Sequence, residues 1–363
     1  MSNLNASLGT VLIHSSSPAN VTANLTYNRT TAEHAGSWTL GPSLTLFTIL
    51  AGTLFNISLL TLFAKRPTLR TPFGVYLMNL IIANTAMACL WEPITLIQFY
   101  YSSWTMGYGA CVFRQFLAWI IEAAVNWSHF LIAVNRFWAV IFPVSYHHRH
   151  HTKFAFATCI SAWLAINITI VPTILTIAKL TDPDKNGKRK CTLDTDPIGG
   201  WGPVSQLVVY DLPLVFIVAL YPLIFYKSFI ATRHRRRRIR AANEATMNAT
   251  KPASDTIEID GSMVKSTMAS RKAPAVGCCG RPQHGSVSGF VTLTLTTLSA
   301  MTCLAPSEVY FTLLLVFDTE LSAEYYATVK LMQSLTVIFD PILIVLANPE
   351  LRTLFRRYIT CGT

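Results

Sequence analysis

The chain has 363 residues, of which 52% are hydrophobic and only 13% are charged, with a mean hydropathy of +0.40. Soluble domains carry about 25% charged residues, so a soluble protein of this composition would expose large apolar patches. The composition therefore favours a protein that crosses a membrane several times. The formal net charge of +11 raises the alternative of nucleic-acid binding. The basic residues are concentrated in short loops between apolar segments, however, which favours a membrane topology and no nucleic-acid partner.

Residues 1–41 are rich in Ser, Thr and Asn and nearly free of charge, a composition typical of disorder. Four N-x-S/T triplets, the acceptors for N-glycosylation in secreted segments, begin at Asn5, Asn20, Asn24 and Asn28. One triplet says little, but four in one short tail predict that it is extracellular and glycosylated. The tail lacks a basic start followed by an apolar core, so we expect no cleavable signal peptide.

Residues 42–348 contain seven apolar segments long enough to cross a bilayer as helices, since about 20 apolar residues suffice. We predict spans at about 42–64, 73–99, 108–142, 153–178, 203–231, 287–317 and 325–348. The connections after the first, third and fifth spans carry an excess of Lys and Arg, which places them in the cytoplasm. The sequence therefore predicts an extracellular N-terminus and a cytoplasmic C-terminus.

The sequence predicts two further segments on the cytoplasmic side, a loop and a C-terminal helix. Residues 232–286 are polar and have no helical apolar period, so we predict a flexible third cytoplasmic loop. Its arginine run, Arg235 to Arg238, also fits a nuclear signal or an RNA patch, but its place directly after an apolar span favours contact with anionic lipid. Within residues 349–363, apolar side chains recur at helical spacing opposite three arginines, which predicts an amphipathic helix on the membrane surface.

The most specific motif lies at the inner end of the third predicted span, around Asn135-Arg136-Phe137. An isolated arginine that extends to the lipid headgroups is the plain alternative. This arginine is not isolated, because Trp104-Thr105-Met106-Gly107 and Cys111 precede it and Pro143 and Tyr146 follow it. Together these residues resemble the third helix of class A (rhodopsin-like) G-protein-coupled receptors. The family pattern is W-x-F-G-x-x-x-C, then D-R-Y-x-x-x-x-x-P-x-x-Y.

The other spans carry further matches to that family, in the right order and at the right spacing. They are Gly52 and Asn56 in the first span, Asn79 to Asn84 in the second, Trp163 in the fourth, Pro213 and Tyr221 in the fifth, Cys303 to Pro306 in the sixth, and Asp340 with Pro341 in the seventh. Any one of these matches is weak alone, whereas the whole set is highly specific. By this resemblance the chain is identified as a member of the rhodopsin-like receptors.

The resemblance implies an all-α membrane protein, in which a seven-transmembrane helix bundle is followed by a short amphipathic eighth helix. It implies a plasma-membrane receptor that couples an extracellular ligand to a heterotrimeric G protein, with arrestin and membrane lipids as further partners and no cofactor. It also implies a disulfide between Cys111 and Cys191 and a palmitoyl group on Cys361. The activation and coupling residues that it assigns are Asn135, Arg136, Phe137, Tyr221, Leu304, Pro306, Asp340 and Pro341.

Departures from the family pattern change the expected switch. Asn135 lacks the carboxylate that would pair with Arg136. Asn84 likewise stands where the family has Asp, but an acid reappears at Asp340 on the seventh span. We therefore predict that a polar mid-membrane core survives with its charge moved, and that it contains Asn56, Asn84 and Asp340.

By the same resemblance, the ligand pocket lies among the outer halves of the third, fifth, sixth and seventh spans. Amine receptors of the family carry Asp one turn above Glu122, where this chain has Ala118, and light receptors carry Lys where it has Ser334, which disfavours an opsin. Ionisable groups inside a membrane bundle are functional candidates. The candidate ligand-binding residues are Glu92, Arg114, Ala118, Glu122, Glu308 and Lys330.

The acids among these candidates outnumber Lys330, so we predict that Glu122 or Glu308 meets a basic group on the ligand. This favours a neuropeptide-like peptide first and a small cationic molecule second. The alternative is that an acid pairs internally with Lys330 and only braces the helices.

Functions of other classes have less support in the sequence. A seven-helix transporter or channel is the main alternative, but transporters usually show an internal repeat with discontinuous helices in both halves, and we find none. A membrane enzyme would carry a motif such as H-E-x-x-H or G-x-S-x-G, which is absent, so we expect no enzyme. The eight cysteines show no C-x-x-C spacing, so no metal site is expected.

Overall fold

The computed structural model describes residues 37–101, 104–180, 191, 199–249, 294–319 and 321–361. Within these ranges all regular structure is helical. Seven helices are long and apolar enough to cross a membrane, and we call them spans 1 to 7 in chain order: Leu40–Lys65, Pro72–Tyr100, Gly107–Ile141, Thr152–Leu180, Trp201–Lys227, Thr294–Leu315 and Glu324–Ala347. The number and order of spans predicted from hydropathy are confirmed.

Span 3 occupies the middle of the bundle, since 72% of its membrane-crossing window is buried. Polar side chains bind it to its neighbours. Asn79 on span 2 donates to the Ser128 hydroxyl on span 3 at 2.7 Å, and Trp163 on span 4 donates its ring N–H to Asn79 at 3.0 Å. Large apolar side chains such as Leu54, Leu164 and Val215 are exposed. A helix in lipid needs no polar outer face, so these exposed side chains are expected of a membrane bundle.

Three spans contain a widened, π-helical turn that ends two residues before a proline. The turns are Met87–Trp91 before Pro93, Gln206–Asp211 before Pro213, and Ala300–Leu304 before Pro306. A proline ring clashes with the carbonyl four residues back and donates no N–H, and a wider turn relieves that conflict. The backbone disruption that each proline causes thus takes a π-helical form in these spans.

The helix that begins in span 5 continues well beyond the membrane, because it runs without a break from Leu212 to Ala249. The prediction of a flexible loop from residue 232 onward was therefore wrong for residues 232–249. Arginine and alanine are good helix formers, and adding residues to an existing helix avoids the cost of nucleation. The absence of a helical apolar period does not exclude a helix here, because this extension has no core against which an apolar face would pack.

A C-terminal helix, Pro349–Cys361, follows span 7 and confirms the predicted short eighth helix. Leu351 is fully buried, Leu354 and Phe355 pack against the core, and Arg356 and Arg357 are exposed. The helix is thus amphipathic, as its sequence period indicated. The side chain of Cys361, the glycosylation triplets of the tail and the rest of the 232–286 loop lie outside the described residues.

The opposite end of the bundle carries the disulfide between Cys111 and Cys191, which confirms the predicted pairing. Trp104 packs against this bond, and its ring N–H donates to the Gly107 carbonyl at 2.7 Å. The tryptophan and glycine of the motif before span 3 thus support the point at which Cys191, from the segment between spans 4 and 5, is attached to the bundle.

Spans 1 and 7 approach closely at Gly52, where we expect substitution to destabilise the bundle. An added Cβ would lie 2.7 Å from Cγ2 and 3.1 Å from Cβ of Val337, too close for a buried β-branched side chain to rotate away. Gly52→Ala should therefore cost about 1–3 kcal/mol of folding free energy, as overpacking usually does. The measurement is the thermal unfolding midpoint of protein in lipid nanodiscs.

Gly109→Ala is the matched control, because an added Cβ there meets nothing within 4 Å. Its unfolding midpoint should equal or exceed that of the parent protein, since Ala favours helix over Gly. Equal midpoints for the two variants would show that the close approach at Gly52 does not constrain the bundle.

Candidate functional site

The deepest polar cluster surrounds Asp340 on span 7, whose side chain is fully buried. Its carboxylate accepts hydrogen bonds from Asn84 Nδ2 at 2.9 Å, from Ser299 Oγ at 2.8 Å and from His129 Nε2 at 3.2 Å. The four residues come from spans 2, 3, 6 and 7. A buried carboxylate needs such partners, so Asp340 ties four helices together at one point.

Two of the three residues predicted for the polar core, Asn84 and Asp340, meet directly. Asn56 lies beside them and donates to the carbonyls of Gly52 at 2.8 Å and Val337 at 2.7 Å. His129 was not among the predicted residues, although an ionisable side chain inside an apolar span is itself a signal. Ser299 on span 6 carried no signal in the sequence, since single serines are common in membrane helices.

A second polar cluster lies nearer the disulfide end and is centred on Lys330 of span 7. Its ammonium lies 2.5 Å from Glu122 Oε1 on span 3 and 3.0 Å from Gln333 Oε1. Gln333 also accepts from the Ser307 hydroxyl of span 6 at 3.3 Å. Lys330 and Glu122 are both buried, so this ion pair joins spans 3 and 7 out of contact with water. It corresponds to the alternative of an internal bracing pair.

A third polar cluster holds two acids without a cation, Glu308 on span 6 and Asp211 on span 5. Glu308 accepts from Asn126 Nδ2 at 2.6 Å and from Gln206 Nε2 at 3.1 Å. The same Gln206 Nε2 lies 3.2 Å from Asp211 Oδ1, and the Thr312 hydroxyl donates to Asp211 Oδ2 at 2.6 Å. One amide thus bridges two carboxyl groups. Asp211 was not among the predicted residues, although its position inside the fifth apolar span is visible in the sequence.

The widened turns of the helices determine where these acids lie. Glu92 comes directly after the π-helical turn of span 2, Gln206 and Asp211 form the two ends of that of span 5, and Glu308 lies in the first turn after that of span 6. Each widened turn changes the angular position of the residues that follow it around the helix axis. Three local distortions therefore position four polar side chains.

The remaining predicted ligand-site residues are Glu92, Arg114 and Ala118, and all three are buried. The Ser334 hydroxyl acts on the Glu92 carboxyl group as a hydrogen-bond partner, and the charges of Lys330, Glu122 and Arg114 act on it electrostatically. Arg114 Nη1 donates to Gln115 at 3.0 Å, and its Nε has no partner. Among the described residues of this half of the bundle, Lys330 is thus the cation that directly contacts an acid.

At the other end of the bundle, Arg136 lies beneath span 2 with its guanidinium carbon 3.1 Å from the centre of the Phe73 ring. Its Nε has no hydrogen-bond partner. A guanidinium on an aromatic face gains a cation–π interaction, which partly replaces the missing ion pair. The arginine is thus held by an aromatic ring on span 2 rather than by an adjacent acid.

The neighbouring Asn135 contacts the segment that follows span 3, with its Nδ2 2.8 Å from His150 Nε2 and its Oδ1 3.5 Å from the Tyr146 hydroxyl. An amide nitrogen only donates, so His150 must accept with an unprotonated Nε2. Burial, helped by the charge of Arg136, lowers the pKa of His150 to about 4, so the imidazole is neutral at physiological pH. His150 also stacks on the rings of Tyr146 and Tyr76.

The other predicted switch residues lie at separate places in the bundle. Leu304 is fully buried at the end of the widened turn of span 6, two residues before Pro306, and Pro341 is buried beside Asp340. Phe137 packs edge-on against Phe142, and the Tyr221 ring lies 6.3 Å from that of Phe225. The predicted switch residues therefore do not form one cluster. Pro341 adjoins Asp340, whereas Asn135 and Phe137 adjoin Arg136.

The Glu122–Lys330 pair gives a direct test of how these helices are held. Glu122→Gln or Lys330→Met leaves one charge buried without its partner, which typically costs about 3–5 kcal/mol. The double variant removes both charges, so it should be more stable than either single variant. The measurement is a double-mutant cycle on thermal unfolding midpoints in nanodiscs. Additive losses would mean that the two charges do not stabilise each other.

Comparison with known proteins gives a result that agrees with this architecture. The sequence profile of the 7 transmembrane receptor (rhodopsin family) matches residues 55–343. Similar proteins include the histamine H1 receptor of Cavia porcellus, which is 23% identical over 183 residues covering 50% of this chain and 37% of that receptor. The histamine H1 receptors of Homo sapiens and Bos taurus are each 22% identical, over 173 and 189 residues, covering 47% and 51% of this chain and 35% and 38% of those receptors.

The matched segments thus span less than two fifths of the length of these relatives, whereas the family profile covers spans 2 to 6 completely, most of span 7 and the last part of span 1 from residue 55 onward. Proteins of this family are multi-pass plasma-membrane receptors that signal and are not enzymes. The seven spans, the disulfide and the profile match together show that the chain belongs to the rhodopsin family of seven-transmembrane receptors.

Proposed function

We propose that this receptor couples an extracellular ligand with a basic group to a heterotrimeric G protein. The observation that supports a basic group on the ligand is the excess of buried acidic side chains near the disulfide end. Glu122 is paired with Lys330, whereas the buried Glu92 and Glu308 and the half-buried Asp211 make no ion pair within the described part of the chain, and the other buried cation there is Arg114. Buried carboxylates without a counter-charge are costly, so a cation supplied by the ligand would stabilise this region.

The proposed orientation follows from chemistry at the two ends. Disulfides persist in oxidising compartments, which favours an extracellular location for Cys111 and Cys191. Lys and Arg side chains collect at the opposite end, on the loops after spans 1, 3 and 5, as the positive-inside rule expects for a cytoplasmic face. In this orientation the N-terminal tail, with its glycosylation triplets, is extracellular and the C-terminal helix is cytoplasmic.

The position of the acids narrows the proposed class of cationic ligand. The relatives are named as histamine receptors, but this chain has Ala118 where amine receptors of the family have an acid. A ligand cation would instead approach Glu308, which lies with Gln206 and Asp211 between spans 5 and 6. We propose a peptide with a basic side chain or terminus, with a small amine as the second candidate. A screen of basic peptides and amines for agonist-stimulated nucleotide exchange would separate the two.

Glu308→Gln tests the acid-centred pocket once an agonist is found. The amide keeps the size of the side chain but removes its charge, and losing one partner of a desolvated charge pair costs about 2–5 kcal/mol. We expect at least about a tenfold loss of agonist potency at unchanged surface expression. The measurement is a dose–response curve for nucleotide exchange on the G protein.

Glu324→Gln is the control for that substitution, because Glu324 is an exposed acid at the start of span 7, away from the buried cluster. Its potency should match that of the parent receptor. If Glu308→Gln also responds normally, the cluster is structural and the ligand does not use its charge.

Asn135→Asp tests the G-protein end. The substitution removes the amide that donates to His150 and places a carboxylate next to Arg136. An ion pair there would draw Arg136 from Phe73 and favour the resting state by about 1–3 kcal/mol. We expect lower basal nucleotide exchange than in the parent, while Arg136→Ala should abolish agonist signalling.

Asn135→Ala separates the two effects, since it removes the amide without adding an acid. Its basal activity should stay at or above that of the parent receptor. Equal basal exchange in the parent and Asn135→Asp, measured at matched surface expression, would contradict the proposed role of the missing carboxylate.

A further inference from the structure

An open cavity of about 510 Å³ lies between the end of span 1 and the C-terminal helix, far from the acidic clusters. Lys65, Arg66 and Thr68 line one side, and Glu350, Thr353 and Leu354 line the other. Its volume is in the range of sites that hold small ligands, about 300–1,000 Å³. None of the predicted ligand or activation residues lies in it.

The two cations of this cavity are free to bind an outside group. Arg70, a few residues later, is occupied, because it donates to the carbonyls of Phe63 at 2.9 Å and Ala64 at 2.6 Å and so caps span 1. Lys65 and Arg66 are exposed, and neither forms an ion pair in the part of the chain that the structure describes.

The lysine is nevertheless held in place. Its ammonium lies 5.7 Å from the centre of the Tyr358 ring of the C-terminal helix, a cation–π distance. The interaction orients the charge at the edge of the cavity without neutralising it. The Lys65 ammonium therefore remains available to an anion, with the Arg66 guanidinium beside it in sequence.

The cavity opens at the level of lipid headgroups. Lys65 is the last residue of span 1, and the C-terminal helix packs Leu351 into the core while Arg356 and Arg357 stay exposed. An amphipathic helix of this kind lies along the boundary between headgroups and acyl chains. A lipid headgroup is thus the ligand with the most direct access to Lys65 and Arg66.

We propose that this cavity is a binding site for the phosphorylated inositol headgroup of a phosphoinositide lipid. A guanidinium presents paired donors that match phosphate oxygens, and an ammonium adds a point charge, so two phosphate groups on one ring can use Arg66 and Lys65 together. A phosphatidylserine headgroup has a single phosphate, and its carboxylate is offset by its own ammonium, so it fits two adjacent cations less well. Glu350 on the opposite wall repels the phosphates and sets the affinity.

The test uses purified full-length receptor in phosphatidylcholine nanodiscs, titrated with short-chain phosphatidylinositol 4,5-bisphosphate. Substituting Lys65→Gln and Arg66→Gln together should weaken binding at least about tenfold, because two charge-assisted contacts are lost. The control substitutes Arg149→Gln and Lys153→Gln together, which removes the same charge from exposed positions at the same end of the bundle. That control should change affinity by less than about twofold.

Glu350→Gln should change the affinity in the opposite direction. Removing the repelling carboxylate should tighten binding of the bisphosphate by about two- to fivefold. A gain of affinity cannot come from misfolding. Equal weakening in both double variants would mean diffuse attraction to a basic surface and would overturn the proposal. So would binding of short-chain phosphatidylserine as tight as that of the bisphosphate, or a Glu350→Gln variant with unchanged affinity.

Discussion

The bundle depends on the solvation of one buried carboxylate, that of Asp340. This group is fully buried within the bundle, so the protein must supply donors, and it does so from Asn84, His129 and Ser299. Because the three donors lie on three different helices, rotation of any of spans 2, 3 and 6 breaks a hydrogen bond at low dielectric. Asp340 therefore constrains the orientation of four spans at once.

Proline provides the geometry that the acidic half of the bundle uses. Each of three spans has a widened turn that ends two residues before a proline, and each places an acid or its amide partner in or just beyond that turn. A regular helix with the same sequence would direct these side chains elsewhere. The clusters around Lys330 and Glu308 share span 6 through Ser307 and Glu308. A ligand that neutralised Glu308 would therefore act on the helix that also contacts Lys330 through Gln333.

The two ends of the receptor differ in what holds their charges. At the disulfide end, Lys330 meets Glu122 directly, and other acids have only amide and hydroxyl donors. At the opposite end, Arg136 rests on Phe73 and Asn135 contacts a neutral His150. An arginine on an aromatic ring is held less strongly than one in a desolvated ion pair, so Arg136 is only lightly constrained. This end of the bundle therefore differs from the disulfide end, where a buried ion pair joins two helices.

The seven spans, their order and the amphipathic C-terminal helix could be predicted from apolar length and helical period, because these are properties of the linear chain, and the disulfide could be predicted from the resemblance to the receptor family. Most of the buried ionisable residues were also predicted, including Glu122, Glu308, Lys330 and Asp340. Which of them meet depends on the folded bundle: Lys330 and Glu122 are 208 residues apart, and Asn84 and Asp340 are 256 apart. Such pairings depend on the rotation of each helix about its axis, which packing and the three widened turns decide. For the same reason the bridge from Gln206 to Asp211 and Glu308, and the contact of His129 with Asp340, could not be derived from spacing.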